Sequence, residues 1–201
     1  MTPCTAAVTT PSPTSVSDTM MTPTILTSSG RYFNLLEPRS TDVSVGEIAH
    51  ALSHICRFTG HTKQFYSVAE HSYHASFLVP PEHAMAALLH DAAEAYIGDV
   101  ASPLKAMLPD YKAIEARVEA AVFGYFGLHP VLPPCVKTAD LIMLATEQRD
   151  LMPDHSDDWA VLKGITPLPQ PIIPMPPQTA RYCFLDRYFD LVRHANARAA
   201  T

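Results

Sequence analysis

Apolar residues recur every three or four positions in six segments of this chain, which is the spacing of one helix face. The segments span residues 44–58, 67–79, 83–97, 110–127, 134–152 and 179–197. Ser44 with Glu47, and Ser67 with Glu70, match the capping box that begins a helix. No valine-rich or isoleucine-rich segment alternates over the length of a strand. We therefore predict an all-α bundle of about six or seven helices, closed by the helix at 179–197 against the core or a second subunit.

Two regions lack this periodicity. Residues 1–30 are dominated by Thr, Ser and Pro, with Asp18 as the one charged side chain, which predicts a disordered leader. Residues 153–178 contain seven prolines, which exclude a long helix and indicate an extended strap. The strap could bind a proline-recognising partner, but packing along the protein's own surface is favoured. Residues 31–201 are then one helical domain.

Composition narrows the functional classes. The chain has 201 residues, 47% of them hydrophobic, and a formal net charge of −6 without a basic stripe, which argues against polymeric nucleic acid as a partner. The four cysteines are scattered, without the spacing of a zinc knuckle, so we expect reduced thiols and a cytoplasmic location. No apolar run approaches the roughly 20 residues of a membrane-spanning helix, so no membrane association is expected.

The first candidate functional residues are the adjacent pair His90 and Asp91, inside an apolar segment that also carries Glu94. His71 and Asp140 fall on the apolar stripes of two other predicted helices. Taken singly, each inward group could be a hydrogen-bonded core histidine or a buried salt-bridge partner. Together they offer two imidazoles and two carboxylates from three helices, a set suited to a divalent cation.

These residues resemble a known pattern. His71, the pair His90-Asp91 and the distant Asp140, in this order on successive helices, resemble the H…HD…D signature of the HD-domain metal-dependent phosphohydrolases. The segment HDAAEAYIGDVASPLK (90–105) is similar to the H-D-x-x-E-x-x-x-G-D-x-x-x-P-x-K segment of bacterial 5′-deoxynucleotidases and phage deoxynucleoside triphosphohydrolases. Further similar segments are CRFTGHTKQFYSVAEHS (56–72), FNLLEP (33–38) and EIAHALSHICRFTGHT (47–62). The resemblance covers roughly residues 31–152 and implies an HD-domain helical bundle.

The resemblance implies one divalent cation, Mn²⁺, Co²⁺, Zn²⁺, Mg²⁺ or Fe²⁺, bound by the four residues His71, His90, Asp91 and Asp140. It also implies that Glu94 is the general acid/base, although an exposed helical Glu paired with a neighbour is the alternative. Asp99 is expected to position the attacking water or a substrate hydroxyl. A turn-forming role after Gly98 explains Asp99 almost as well. No second HD-like pair is present, which favours a single metal ion.

Other residues are candidates for substrate binding. Arg57, Lys105 and Lys137 could bring positive charge to the phosphates, although each taken alone is more often a solvated surface charge. Phe58 could stack on a nucleobase, and His61 and Thr62 could hydrogen-bond to the substrate. Many members of the resembled family carry Trp where this chain has Phe58, so base preference is open. The structural alternative is that Phe58 fixes its loop onto the core.

The expected function is hydrolysis of a deoxynucleotide. A deoxynucleoside triphosphate, with dATP as the leading example, is preferred because three cations near one metal suit several phosphates. A 5′-deoxynucleoside monophosphate is the alternative. A non-catalytic nucleotide-binding module on an HD scaffold is the alternative from another class. The resemblance also implies a homo-oligomer in the cytoplasm of a bacterial cell or a phage-infected host.

Overall fold

The computed structural model describes residues 23–199, and most of this range is helical. Two strands open it, β1 (Thr24–Leu26) and β2 (Tyr32–Asn34). Eight α-helices follow in the described range: α1 (Val45–His54), α2 (Val68–Ala75), α3 (Ala84–Leu88), α4 (Glu94–Ile97), α5 (Ser102–Lys105), α6 (Pro109–Phe126), α7 (Pro134–Leu151) and α8 (Pro177–Ala199). The predicted all-α bundle is confirmed as a mainly helical fold, to which the two short strands are the exception. The predicted count was slightly low, because α3, α4 and α5 are only four or five residues long.

The two strands form an antiparallel hairpin that the sequence did not predict. Ile25 pairs with Phe33, whose ring is fully buried and stacks on that of Tyr96 with 3.9 Å between ring centroids. The predicted disordered leader, residues 1–30, is therefore wrong in its last part, because Thr24–Leu26 is a strand of the folded domain. The rest of that predicted leader, residues 1–22, lies outside the described residues.

Only one of the two predicted capping boxes forms, and only in part. Ser44 is the N-cap of α1, but its side chain makes no capping hydrogen bond, and the buried Glu47 instead accepts hydrogen bonds from the hairpin. At the start of α2, Ser67 Oγ accepts a hydrogen bond from the amide of Glu70 as predicted. The Glu70 side chain turns away and accepts from the amide of Met175 at 2.9 Å.

The segment 83–97 is not the continuous helix that its apolar spacing predicts. Helix α3 ends at Leu88, α4 begins at Glu94, and residues 89–93 form turns. His90 Nδ1 lies 2.8 Å from the carbonyl oxygen of Ala87, a contact that stabilises the break. Most apolar residues of the segment are nevertheless buried, as expected, and Met85, Ala95 and Ile97 are partly buried against the same core. The break places His90 and Asp91 in a turn between two short helices.

Helix α8 covers α1 and α2, so it closes the fold as predicted. Its buried face contains Ala180 and Phe184, whereas Tyr182 and Phe189 are 69% and 49% exposed, although both belong to the apolar stripe on which the helix at 179–197 is predicted. Between α7 and α8, residues 153–176 contain only the short 3₁₀ helix Ala160–Leu162, consistent with the predicted strap. Within the described range, none of the helices combines the length and apolar character needed to cross a membrane.

Candidate metal centre

Three separate segments bring the predicted metal ligands together. His71 lies on α2, His90 in the turn after α3, and Asp140 on α7. His71 Nε2 lies 3.3 Å from His90 Nε2 and 3.3 Å from Asp140 Oδ1, and His90 Nε2 lies 4.0 Å from the same Asp140 oxygen. One potential ligand atom from each of the three residues lies within 4.8 Å of the other two. This group could hold a metal ion.

Asp91 adjoins the same group. Its Oδ2 lies 3.2 Å from His90 Nε2 and 3.7 Å from His71 Nε2. The same oxygen lies 3.6 Å from a guanidinium nitrogen of Arg57, so the Asp91 carboxylate is placed between Arg57 and the two imidazoles. All four predicted ligands therefore meet, with Asp91 on the side of the cluster that faces Arg57.

The charges of the cluster fit a divalent cation. Burial and Arg57 act to lower the pKa of His71, but the carboxylates of Glu147 and Asp140 outweigh them and raise it to about 9. Burial acts to raise the pKa of Asp140, but His71 and His90 hold it well below its ordinary value. The carboxylates are thus balanced by positive charge on the His71 imidazole. A divalent cation would supply that charge and bind the imidazoles in their neutral form.

Glu147 is a member of the site that the sequence analysis missed. It lies on α7 seven residues after Asp140, so both point to the same side of the helix, and its side chain is fully buried. Its Oε1 accepts a hydrogen bond from His71 Nδ1–H at 2.6 Å, and its Oε2 accepts from Arg57 Nε at 3.0 Å. A carboxylate on the outer nitrogen of a metal-ligating histidine fixes the ring and its tautomer. The spacing from Asp140 was the signal that could have identified Glu147.

Arg57 lies against the cluster of predicted ligands. Its buried guanidinium binds Glu147 at 3.0 Å and approaches Asp91 at 3.6 Å, so it links two carboxylates of the site. Arg57 is also predicted to bind the phosphates of the substrate, and this stays a prediction. In the structure, its nearest charged partners belong to the protein, and it supports the ligand cluster.

Glu94, which is buried, and Asp99, which is half-buried, interact electrostatically with Asp91 of the cluster. Burial raises the pKa of Glu94 well above its ordinary value, and the charges of Asp91 and Asp99 add to this effect. Among the described residues, the buried Oε2 of Glu94 has no hydrogen-bond partner. Burial also raises the pKa of Asp99. The residue before it, Gly98, has a positive φ of 79°. Glu94 can therefore hold a proton beside the candidate metal ligands.

The two lysines are bound to carboxylates of the protein. Lys105 Nζ lies 2.6 Å from Glu115 Oε1. Lys137 Nζ lies 2.8 Å from Asp140 Oδ2, and its side chain is 69% exposed. Lys137 thus reaches the ligand cluster through Asp140. Arg57 also has carboxylate partners, so each of the three predicted phosphate-binding cations is paired with a carboxylate of the protein.

The loop after Arg57 holds the remaining predicted residues. Phe58 is half-buried, with its ring centroid 5.5 Å from the Arg57 guanidinium carbon and 6.0 Å from the ring centroid of Trp159. His61 is exposed. Thr62 donates its hydroxyl to the carbonyl of Gln64 at 2.6 Å, so this group stabilises the loop itself. Of these three residues, Phe58 is the one that the structure connects to the candidate site.

No family model matches this chain. Over 168 residues it is 47% identical to the uncharacterized protein YfdR of Escherichia coli, an alignment that covers 83% of this chain and 94% of YfdR. The chain belongs to the YfdR family. Another relative is the uncharacterized protein RCAP_rcc00048 of Rhodobacter capsulatus, 40% identical over 121 residues, which covers 55% of this chain and 62% of that protein. Membership of the YfdR family assigns no activity, so function rests on the site.

Proposed function

We propose that this protein is a metal-dependent phosphohydrolase whose substrate is a deoxynucleotide. The observation that carries the proposal is the convergence of His71, His90, Asp91 and Asp140 from three segments of the chain. The substrate class follows from the resemblance of these residues and their flanking segments to the HD-domain phosphohydrolases. The deoxynucleoside triphosphate stays the first candidate, with dATP as the first compound to test.

The chain supplies the groups that such a reaction requires. A divalent cation, when bound at this cluster, supplies a Lewis acid that neutralises phosphate charge and lowers the pKa of water. Glu94 moves the proton: its buried carboxyl takes a proton from the attacking water or gives one to the leaving oxygen. Asp99 orients the water or a substrate hydroxyl. Glu147 and Arg57 keep His71 and Asp91 in place during the reaction.

A 5′-deoxynucleoside monophosphate is the second candidate, and one observation favours it. The ammonium groups of Lys105 and Lys137 are each bound to a carboxylate of the protein. Three unengaged cations would suit a triphosphate, whereas a monophosphate requires less neutralising charge. The number of phosphates is therefore the first property of the substrate to measure.

A product assay tests the proposal. Metal-free protein is given Mn²⁺, Co²⁺, Mg²⁺, Zn²⁺ or Fe²⁺ with deoxynucleoside mono- and triphosphates, and the products are separated by anion-exchange chromatography. Deoxynucleoside with triphosphate, or deoxynucleoside with phosphate, would identify the bond that is cleaved. Asp91→Ala protein is the control. No turnover, together with a nucleotide-dependent rise in melting temperature, would contradict the enzyme and support the non-catalytic nucleotide-binding module.

We also propose that the protein forms a homo-oligomer. Support comes from Tyr182 and Phe189, two large aromatic side chains exposed on α8. Large apolar groups on a surface are typical of contact areas between subunits when they cluster. Sedimentation equilibrium of the full chain measures the copy number, and a monomer at all concentrations would contradict the proposal.

A further inference from the structure

The loop Arg57–Gly60 has an unusual backbone. Phe58 and Thr59 both have φ of 54°, and Gly60 has φ of 81°. The left-handed region costs free energy for any residue with a Cβ atom, and here two such residues occupy it in succession. Conformations of this kind persist only where surrounding contacts determine them, and they are concentrated at sites that bind ligands.

The contacts that hold this loop come from the end of α7 and from the strap. The amide of Lys63 donates to the carbonyl of Leu151 at 2.7 Å, and Lys63 Nζ lies 3.1 Å from Asp154. Trp159 of the strap lies against Phe58. The strap and the end of α7 thus support a loop that begins beside the predicted metal ligands.

A continuous line of contacts leads from the metal ligands to Trp159. Asp91 approaches Arg57 at 3.6 Å, the Arg57 guanidinium carbon lies 5.5 Å from the ring centroid of Phe58, and Phe58 lies 6.0 Å from Trp159. The Phe58 and Trp159 rings are both only partly buried. Trp159 also lines a cleft of about 920 Å³ between α7 and the strap. The cleft lies within the size range of small-ligand sites.

The cleft also carries polar groups suited to an aromatic heterocycle. Gln148 Nε2 and His155 Nε2 lie 3.4 Å apart and both line it, and the His155 ring lies 15° from parallel to that of Trp159. An amide and an imidazole can each donate and accept hydrogen bonds. They could therefore contact the edge of a base whose face lies on Trp159, the ring that lines the cleft beside them.

We propose that the nucleobase of the substrate stacks on Trp159, with the Phe58 ring, tilted by 48° from it, as a second wall beside the base. The inference rests on the proposed function, because it requires that the substrate be a nucleotide. A nucleotide with its phosphate at the metal ligands and its base on these rings follows the line from Asp91 to Trp159. Base stacking on aromatic rings tolerates every base, so this surface confers affinity for nucleotides and little choice among bases.

The chain has one tryptophan, so tryptophan fluorescence reports on Trp159 alone. The full-length protein with Mg²⁺ is titrated with dAMP and, separately, with 2-deoxyribose 5-phosphate, which has the sugar and phosphate but no base. Saturable quenching by dAMP without quenching by the sugar phosphate is the expected result. It requires no turnover and no variant, so a folding defect cannot obscure it.

Kinetics of variants give a second measurement on whichever deoxynucleotide is hydrolysed. Trp159→Ala should raise KM about tenfold, because the base loses one ring on which it stacks. It should change kcat less than about twofold. Trp159→Phe should recover most of the affinity because it keeps a ring. Tyr32→Ala, which removes an exposed aromatic side chain from β2, is the matched control and should leave KM unchanged.

The outcomes separate this inference from the proposed function. Quenching by dAMP without turnover of any nucleotide would support the stacking surface and refute hydrolysis. Turnover with no quenching and an unchanged KM in Trp159→Ala would refute the stacking surface and leave hydrolysis intact. In that case Trp159 serves only to fix the loop of Phe58. Neither quenching nor turnover would refute both.

Discussion

Glu147 Oε1 accepts a hydrogen bond of 2.6 Å from His71 Nδ1–H, and neither side chain is exposed to solvent. The bond commits the outer nitrogen of His71 to the protein, so Nε2 is left to face His90 and Asp140. A second oxygen of Glu147 binds Arg57, which in turn approaches Asp91. The candidate metal centre therefore consists of four ligands and an outer pair, Glu147 and Arg57, that fixes two of them.

Glu147→Gln tests this outer pair. Glutamine keeps the size of the side chain but removes the negative charge that orients His71 and binds Arg57. We expect the affinity for Zn²⁺ or Mn²⁺ to fall by about 10–100-fold, the usual effect of losing such a partner. Isothermal titration calorimetry of metal-free protein measures the affinity. Asp110→Asn, an equivalent change at an exposed position of α6, is the control. Equal affinity in Glu147→Gln and wild type would contradict this role.

Arg57 can be tested through the stability of the fold. Arg57→Ala would leave the fully buried carboxylate of Glu147 without its guanidinium partner. Removing one member of a buried ion pair costs about 3–5 kcal/mol, so we expect the free energy of unfolding to fall by about that amount. Arg57→Lys keeps the charge but not the planar geometry that reaches two carboxylates, so its free energy of unfolding should fall by less than that of Arg57→Ala. Urea denaturation monitored by circular dichroism measures both. An unfolding free energy for Arg57→Ala within about 1 kcal/mol of wild type would be incompatible with a buried ion pair.

Much of the site could be predicted from the sequence because metal ligands are few in kind and must face inward. His71 and Asp140 were identified by their places on apolar helix stripes, and the structure brings both to His90. Glu147 also lies on the inward side of α7, two turns after Asp140, but Glu is rarely buried, so its position alone does not predict an inward side chain. The partner of Lys105 depends on a contact between α5 and α6 that one sequence does not show, whereas Lys137 binds Asp140, three residues further along the same helix.

Two features of the fold could not be predicted from the pattern. The strands Thr24–Leu26 and Tyr32–Asn34 have three residues each, which is too short for an alternating pattern to be detected. The break at residues 89–93 keeps its apolar residues buried, so its hydrophobic pattern is the same as that of an intact helix. In both places, contacts with distant parts of the chain decide the local structure. Phe33 on Tyr96 is one such contact.

Glu94 and Asp91 should separate catalysis from metal binding. Asp91→Ala removes a carboxylate that adjoins both imidazoles, so we expect loss of bound metal and of activity together. Glu94→Gln cannot transfer a proton but leaves the four ligands unchanged. It should keep its metal content while kcat falls by about 10²–10⁴-fold, the usual contribution of general acid–base catalysis. Metal content is measured by atomic emission after dialysis, and turnover by the product assay. Full activity in Glu94→Gln would refute its assignment as the acid/base.

Glu47 couples the hairpin to α1 through a carboxylate that titrates at acidic pH. Its Oε1 accepts hydrogen bonds from Thr27 at 2.9 Å, from Arg31 at 3.2 Å and from the hydroxyl of Ser29. Burial acts to raise the pKa of Glu47, but these donors outweigh it and hold the pKa below its ordinary value of 4.5. A group whose pKa is lower in the folded state stabilises the fold above its unfolded pKa. That stabilisation is lost as the pH falls through the folded pKa.

Glu47→Gln should therefore destabilise the protein in a pH-dependent way. At pH 7 the variant lacks the ionised acceptor, so we expect its melting temperature to lie below that of wild type. The difference should shrink as the pH is lowered from above about 4.5, because protonation removes the same charge from the wild-type side chain. Differential scanning calorimetry of both proteins across this range measures it. Thr27→Ala, which removes one donor and leaves the carboxylate, should lower the melting temperature by less at pH 7. A wild-type-to-variant difference that stays constant from pH 7 to pH 3 would show that the charge of Glu47 does not stabilise the fold.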